Sequence, residues 1–415
     1  MVAADLDDRA LSGAAILDGV AYSVGDRAVY AIDLESGEVE WEIPRAGGPL
    51  SVPALVTAGR GDPATLLYLE GPAAGGGDEV EASPAPQEPT GTTDLVAVDL
   101  GDRSELWRVA LAGVSRTGVT VDDDTAFVGD EARTVHAVSI SDGRVRWSTE
   151  VAGPVDVPLA AADGLVVVVS RNPDEISVAV DGVEGDTGER RWGVAPQATS
   201  TAVSAPAARG GLTVVGLTDR FVTGFDEAGS DVWAHLALSS FSPATAPAMD
   251  EGTLYIADLT GGVYRLNAAD GSRVWGHQLN ELIRRSSPVV SGDAVLVGLN
   301  DGRLVALSTA SGRLIWQGEA SDGLIGAIAL SAEVVVAVKG GRDAGLIAFE
   351  HDPDGALLDV PSPTEFDPGT TLGRAGVAVA IALVVVLVPG YLARRRFGHA
   401  FGDEFEDVGP VEGAG

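Results

Sequence analysis

Five histidines stand far apart along the chain, His136, His235, His277, His351 and His399. No two share the three- or four-residue spacing that brings imidazoles to one metal ion, so the sequence offers no histidine metal site. There is no cysteine, which removes disulfides, thiolate sites and cysteine nucleophiles. The run Asp122–Asp124 could meet a cation, but it falls where two strands should turn and reads as a solvated acidic turn. Gly185-Asp186-Thr187-Gly188 has the look of a phosphate loop, yet no helical pattern follows it. One feature opposes the acidic background. Arg284 and Arg285, in "LNELIRRSSP", precede a strand and could hold an anionic ligand at a channel mouth; ion pairing with nearby carboxylates is the plainer reading.

The elements that must position these residues are set by a repeat. The seven tryptophans are Trp41, Trp107, Trp147, Trp192, Trp233, Trp275 and Trp316, separated by 66, 40, 45, 41, 42 and 41 residues. A period near 40 marks a propeller or solenoid. Six copies read Gly-x-x-x-Trp, through Gly37, Gly143, Gly188, Gly229, Gly271 and Gly312, while the copy ending at Trp107 has Arg103 in that place. Glycine accepts the positive φ of a tight turn, and Asp33, Asp99 or Asn267 just before it can bond the turn backbone. The next strand then delivers a tryptophan large enough to fill the gap between neighbouring sheets.

Further strands recur between the tryptophans. Pro53, Pro158, Pro206, Pro247 and Pro288 sit in short segments that suit inner edge strands, since proline lacks a donor. Runs such as "GLVVVVS" and "DAVLVGL" are apolar throughout, as expected when both faces are covered. Four strands per 40 residues describe a propeller blade. An eighth, degenerate copy follows Trp316, with Ala348 and Glu350 aligned to Ala31 and Asp33 and Leu358 where a tryptophan would stand. The fold expected is all-β, an eight-bladed propeller of four-stranded antiparallel blades over residues 1–360, with seven blades left open.

The net charge of −34, with Lys339 the only lysine, excludes nucleic acid as a partner, because phosphate binding needs a basic footprint. An acidic, lysine-poor, cysteine-free chain is like those of salt-loving microbes, whose carboxylates hold a hydration layer while salt screens their repulsion. Residues 71–91 form an insertion rich in proline, glycine and acid that cannot bury apolar surface. After a linker at 361–374, residues 375–393 run 19 positions without a charge. At helical rise they cover about 28 Å, the thickness of a hydrocarbon core. Arg394, Arg395 and Arg396 follow at once, which puts that end and the acidic tail at 394–415 in the cytoplasm and the propeller outside. Residues 1–25 lack the basic start and apolar core of a signal peptide. An upstream start codon is the favoured explanation, and a tail-anchored protein with its propeller inside is the alternative.

The motif Ala-x-Asp-x-x-(Ser/Thr/Asp)-Gly-x-x-x-Trp resembles the tryptophan-docking repeat of the pyrroloquinoline-quinone (PQQ)-like propellers, over nearly the whole chain before the linker. That resemblance implies structural tryptophans rather than cofactor ligands. The family includes quinone-dependent dehydrogenases as well as non-enzymatic assembly and sensor proteins, and the fold does not choose among them. The calcium-binding Glu and Asn, the Asp base and the adjacent-cysteine disulfide of the dehydrogenases have no counterpart motif here. The function expected is a membrane-tethered, non-catalytic binding, assembly or sensing platform, with the lipid bilayer and a protein on one propeller face as partners. No cofactor is expected. The alternatives are a PQQ-dependent dehydrogenase, which needs PQQ and calcium, and a surface polysaccharide-binding module.

Overall fold

A computed structural model of the chain describes residues 2–6, 11–57, 64–71, 91–172, 177–195, 203–217, 221–237, 245–250, 252–319, 324–331, 334–339 and 345–350. Its 32 strands form eight separate four-stranded sheets, each antiparallel. Blade one runs from its inner to its outer strand as Leu11–Leu17, Val20–Gly25, Ala28–Asp33 and Val39–Pro44. The inner strands of the next seven blades are Ala54–Val56, Thr120–Asp122, Ala160–Ala162, Ala207–Arg209, Ala248–Asp250, Val289–Ser291 and Ile325–Leu330. Each inner strand touches the next around the ring, and that of blade eight touches that of blade one, so the circle closes. This is an eight-bladed propeller. The repeat prolines stand one or two residues ahead of the inner strands rather than within them, so each inner strand keeps its full set of donors.

Blade eight departs from the repeat order. Its strands are Ile325–Leu330, Val334–Lys339 and Gly345–Glu350, and its fourth is Val2–Asp5 from the other end of the chain. Val2 lies opposite Ala348, the register at which the other blades set a tryptophan. The outer strand expected around Leu358 is therefore supplied by the N-terminal segment, and residues 351–415 lie outside the described ones. So do 72–90 of the insertion, the linker at 361–374 and the apolar stretch at 375–393. Among the described residues no helix is long and apolar enough to cross a membrane.

Local chemistry accounts for the outer turns. In the first, Asp33 Oδ1 accepts from the Ser36 amide at 2.6 Å and the Ser36 hydroxyl at 2.7 Å, and Gly37 takes φ 75°. Those bonds, led by the Ser36 hydroxyl, hold the Asp33 carboxyl below the usual carboxylate range. The register then slips by one residue in every blade that carries a tryptophan, so that the residue just before each one has no partner on the third strand. A bulge of this kind bends the strand and re-aims the side chain after it. It turns each indole toward the next blade.

The core is divided accordingly. Eight apolar clusters each draw on two adjacent blades, one cluster for each seam of the ring. His235 and His277 occupy the same position, two residues after the tryptophan, in blades five and six, and both are half-buried. The Nε2 of His235 is buried with no hydrogen-bond partner among the described residues, and its ring meets Tyr264 edge-on at 6.0 Å. Burial lowers the pKa of both histidines, and Arg273 adds to the effect at His235. The fold thus prefers them neutral. Their contribution is intact above the unfolded histidine pKa of about 6.5 and is lost as pH falls through the lower folded values. We expect His235→Phe, which keeps the ring contact, to lose less stability than the parent between pH 7.5 and 5.5. Urea midpoints at the two pH values measure this, and an unchanged difference would contradict it.

Candidate functional site

Strand alternation gives the ring two unlike faces. On one lie the turns joining first to second and third to fourth strands; on the other lie the second-to-third connections and the crossovers between blades. The repeat residues occupy the first face and the rim. Trp107, Trp147, Trp192, Trp233 and Trp275 lie on Gly143, Gly188, Gly229, Gly271 and Gly312 of the following blade, so closely that a Cβ there would fall 2.5–2.7 Å from the indole. Four of those indoles also donate to the following blade: Trp107 to Ile140 O, Trp147 to Gly185 O, Trp233 to Ala268 O and Trp275 to Thr309 O, at 2.8–2.9 Å. The Nε1 of Trp192 is buried without a hydrogen-bond partner among the described residues. At the first seam Arg103 stands in for glycine. It takes φ 67°, and its guanidinium lies over the Trp41 ring at 5.9 Å, a cation–π contact. Trp316 meets Phe349 of blade eight edge-on, and Gly37 lies in the turn beside the seam closed by Val2–Asp5.

The crossover face holds the mouth of the central channel. One segment there, residues 45–53, is firmly tied. The Arg45 guanidinium is buried and donates to Gly25 O, Leu69 O and Pro49 O at 2.7, 2.8 and 3.2 Å. Glu70 accepts from the Ala46 amide at 2.6 Å and pairs with Arg108 at 2.9 Å. So anchored, the segment presents Leu50 and Val52 to solvent, 36% and 47% exposed. On the same face Arg116 pairs with Glu131 at 2.5 Å. Arg284 and Arg285 lie on the crossover into blade seven, both exposed, and Arg285 makes no ion pair with another described residue.

On the opposite face two grooves flank the first turn of blade five. One, of about 280 Å³, lies toward blade four and is lined by Asp163, Arg191, Arg209 and Glu227. The other, of about 480 Å³, lies toward blade six between Arg209, Asp226, Val232, Met249 and Asp250. The acidic turn at Asp122–Asp124 is occupied internally: Arg146 Nη1 donates to Asp124 Oδ1 at 2.8 Å, which holds that carboxyl below its usual range. Gly185–Gly188 joins the last two strands of blade four, with strand Arg190–Val194 after it. Among the described residues no three His, Asp or Glu side chains gather as a metal site.

Two polar devices went unread in the sequence. Ser12, Thr117, Ser204 and Ser286 each accept, through a buried hydroxyl, from the amide twelve residues on, at 2.8–3.3 Å. Each bond ties the start of an inner strand to the end of its neighbour; in two of the four the signal was a serine two residues before a repeat proline, Ser204 before Pro206 and Ser286 before Pro288. The second device is a chain in blade three. Asp130 Oδ2 lies 3.0 Å from His136 Nε2, and His136 Nδ1 lies 2.9 Å from the Ser148 hydroxyl. Blade six repeats part of it, with Tyr264 donating to Asp258 Oδ2 at 3.1 Å. The i, i+6 spacing of Asp130–His136 and Asp258–Tyr264 was the available clue.

Comparison with known proteins decides the family. The model of the PQQ_2 family, described as outer membrane protein assembly factor BamB, matches residues 91–240 and 187–351. The chain belongs to this PQQ_2 family. Similar to it are the outer membrane protein assembly factors BamB of Yersinia pestis, 25% identical over 232 residues, and of Salmonella typhimurium, 26% identical over 234. Those matches cover 52% and 54% of this chain and 57% and 58% of the relatives. The chain thus spans a little over half the length of these PQQ_2 relatives. The factor of Nitrosomonas eutropha is 32% identical over 136 residues, 32% of each chain. In fold, the PQQ_2 ring is similar to the crystal structure of BamB from Moraxella catarrhalis, with TM-score 0.64, 16% identity and coverage of 85% of this chain and 99% of that one. It is also similar to the computationally designed Ika8 protein, with TM-score 0.61, 16% identity and coverage of 84% and 99%.

Proposed function

We propose that this PQQ_2 propeller is a non-catalytic binding and assembly platform, tethered to a membrane and engaging a protein on one face. The similarity to outer membrane protein assembly factors across residues 91–351 carries this reading. The geometry supports it, since seven of the eight seams of the ring are held by tryptophan docking contacts of the repeat and the crossover face carries the connecting segments. The tether is residues 375–393, followed by Arg394, Arg395 and Arg396 on the cytoplasmic side. Deleting residues 375–415 should release the chain from alkaline-washed membranes, whereas the full chain should stay in the pellet. Release of both would remove the tether. Affinity capture from native membranes at high salt, comparing the full chain with Leu50→Asp and Val52→Asp variants, tests the platform: a partner lost in the variants supports it, and no salt-resistant partner opposes it.

Arg284 and Arg285 would contribute an anion-binding patch on that face. Replacing both with Ala should weaken binding of an acidic partner and steepen no other property; unchanged binding would dispose of the patch. The platform requires no cofactor. If PQQ and calcium, added to the purified full chain, gave a bound quinone absorption band and dye reduction, the dehydrogenase reading would replace it.

A further inference from the structure

We propose that Ser148 is an activated hydroxyl nucleophile that accepts acyl groups from small activated esters. The three groups come from three neighbouring pieces of blade three. Asp130 follows the second strand, Thr125–Gly129; His136 is on the third, Thr134–Ser139; Ser148 is on the outermost, Val145–Glu150. His136 and Ser148 are direct cross-strand partners, which fixes their separation through the backbone ladder. Asp130 is fully buried and His136 is 4% exposed, while Ser148 is exposed on the rim.

The hydrogen bonds assign the roles. A carboxylate accepts, so His136 Nε2–H donates to Asp130 Oδ2, and Asp130 Oδ1 is held in turn by the Thr134 amide at 2.8 Å. That tautomer leaves Nδ1 with its lone pair facing the Ser148 hydroxyl at 2.9 Å. Asp130 orients the ring, His136 takes a proton and Ser148 offers an oxygen, which is the arrangement of an activated serine recognised by geometry rather than by position in the chain. Ser148 also stands on an outer strand that pairs with no further strand among the described residues, so alternate backbone N–H groups point outward. These are donors that a developing oxyanion can use.

A purely structural role is served without the serine. In blade six the residue equivalent to His136 is Tyr264, which holds the matching carboxylate of Asp258 at 3.1 Å, and opposite it stands Gly276. Opposite the same register in the remaining tryptophan blades are the pairs Tyr30–Glu42, Val96–Arg108, Asp181–Gly193, Thr223–Ala234 and Val305–Gln317. Of these seven blades, blade three sets an imidazole against a hydroxyl.

In the acyl transfer, Ser148 Oγ forms a bond to the ester carbonyl carbon as its proton passes to His136 Nδ1. The carbon–oxygen bond to the leaving group then breaks, the leaving group departs as the alkoxide or phenolate, and His136 returns the proton to it or to solvent. The product is an O-acyl Ser148, with no redox partner required.

The experiment uses the full chain and p-nitrophenyl acetate, with peptide mass spectrometry to locate the acetyl group. Ser148 should be acetylated about a hundredfold faster than Ser230 and Ser272, exposed serines without an imidazole partner, as expected of general-base assistance. Ser148→Ala should abolish that adduct. His136→Tyr keeps a donor toward Asp130, as Tyr264 does toward Asp258, although Thr134 and Ser148 stand where blade six has Gly262 and Gly276; in protein that retains the parent's circular dichroism spectrum, Ser148 labelling should fall to the rate of Ser230. Equal labelling of Ser148 and Ser230 in the parent, or undiminished labelling in folded His136→Tyr, would overturn the proposal.

Discussion

Trp233→Ala lowers the apparent unfolding free energy by about 3–5 kcal/mol, the usual cost of removing a buried tryptophan. The indole is 8% exposed, packs on Gly271 of the next blade and donates to Ala268 O at 2.9 Å, so truncation empties the seam and leaves a carbonyl without its donor. A finer comparison separates the bond from the bulk. Trp192 fills the corresponding seam, but its N–H has no hydrogen-bond partner among the described residues. Trp233→Phe should therefore cost about 1 kcal/mol more than Trp192→Phe, since only the first gives up a hydrogen bond. Urea midpoints for the four proteins provide the measurement. Equal costs for the two phenylalanine variants would mean that the docking bond adds nothing to the packing.

Arg45→Ala should cost about 3 kcal/mol or more. Three carbonyls, Gly25 O, Leu69 O and Pro49 O, lose their donor together, and each buried acceptor left alone costs about 1–3 kcal/mol, less whatever water entering the vacated space restores. Arg45→Lys should recover little, because an ammonium lacks the planar fork that reaches carbonyls in different directions. The damage should concentrate on residues 45–53, where Leu50 and Val52 are displayed. Hydrogen exchange should quicken there and at Gly71, whose amide donates to Gly47 O, before it changes in blades four to seven. Uniform loss of protection around the ring would show that Arg45 serves the whole fold instead of this segment.

What was legible beforehand follows from how far apart the interacting residues are in the chain. The turn at Asp33–Gly37 is local: a carboxylate, a hydroxyl and a glycine within five residues close it, so its pattern survives in the letters. Six Gly-x-x-x-Trp copies, and a seventh tryptophan turn with Arg103, disclosed the propeller. The closure of blade eight was not legible in the same way. Val2–Asp5 pairs with Gly345–Ala348 at the far end of the ring's sequence, and no repeat links their sequences. The aligned but degenerate copy at Leu358 pointed elsewhere. The same limit applies to His136. Taken singly it is one of five scattered histidines, yet the ladder places it opposite Ser148 while the hairpin returns Asp130 to its other nitrogen.

The sequence by itself determined the repeating unit, the all-β blade and the tryptophan position, because each depends on backbone preferences and spacings written within 40 residues. Tertiary structure alone decided which strand closes the ring, which face carries Arg284, Arg285, Leu50 and Val52, and which of five histidines acquires a carboxylate and a hydroxyl. Those outcomes depend on curvature and strand register summed over eight blades. A one-residue slip in register would turn His136 or Ser148 to the opposite side of its sheet. Even "AIDLESGEVEW", which announces the family most plainly, does not disclose that Trp41 meets an arginine, Arg103, where its counterparts in blades two to six meet glycine.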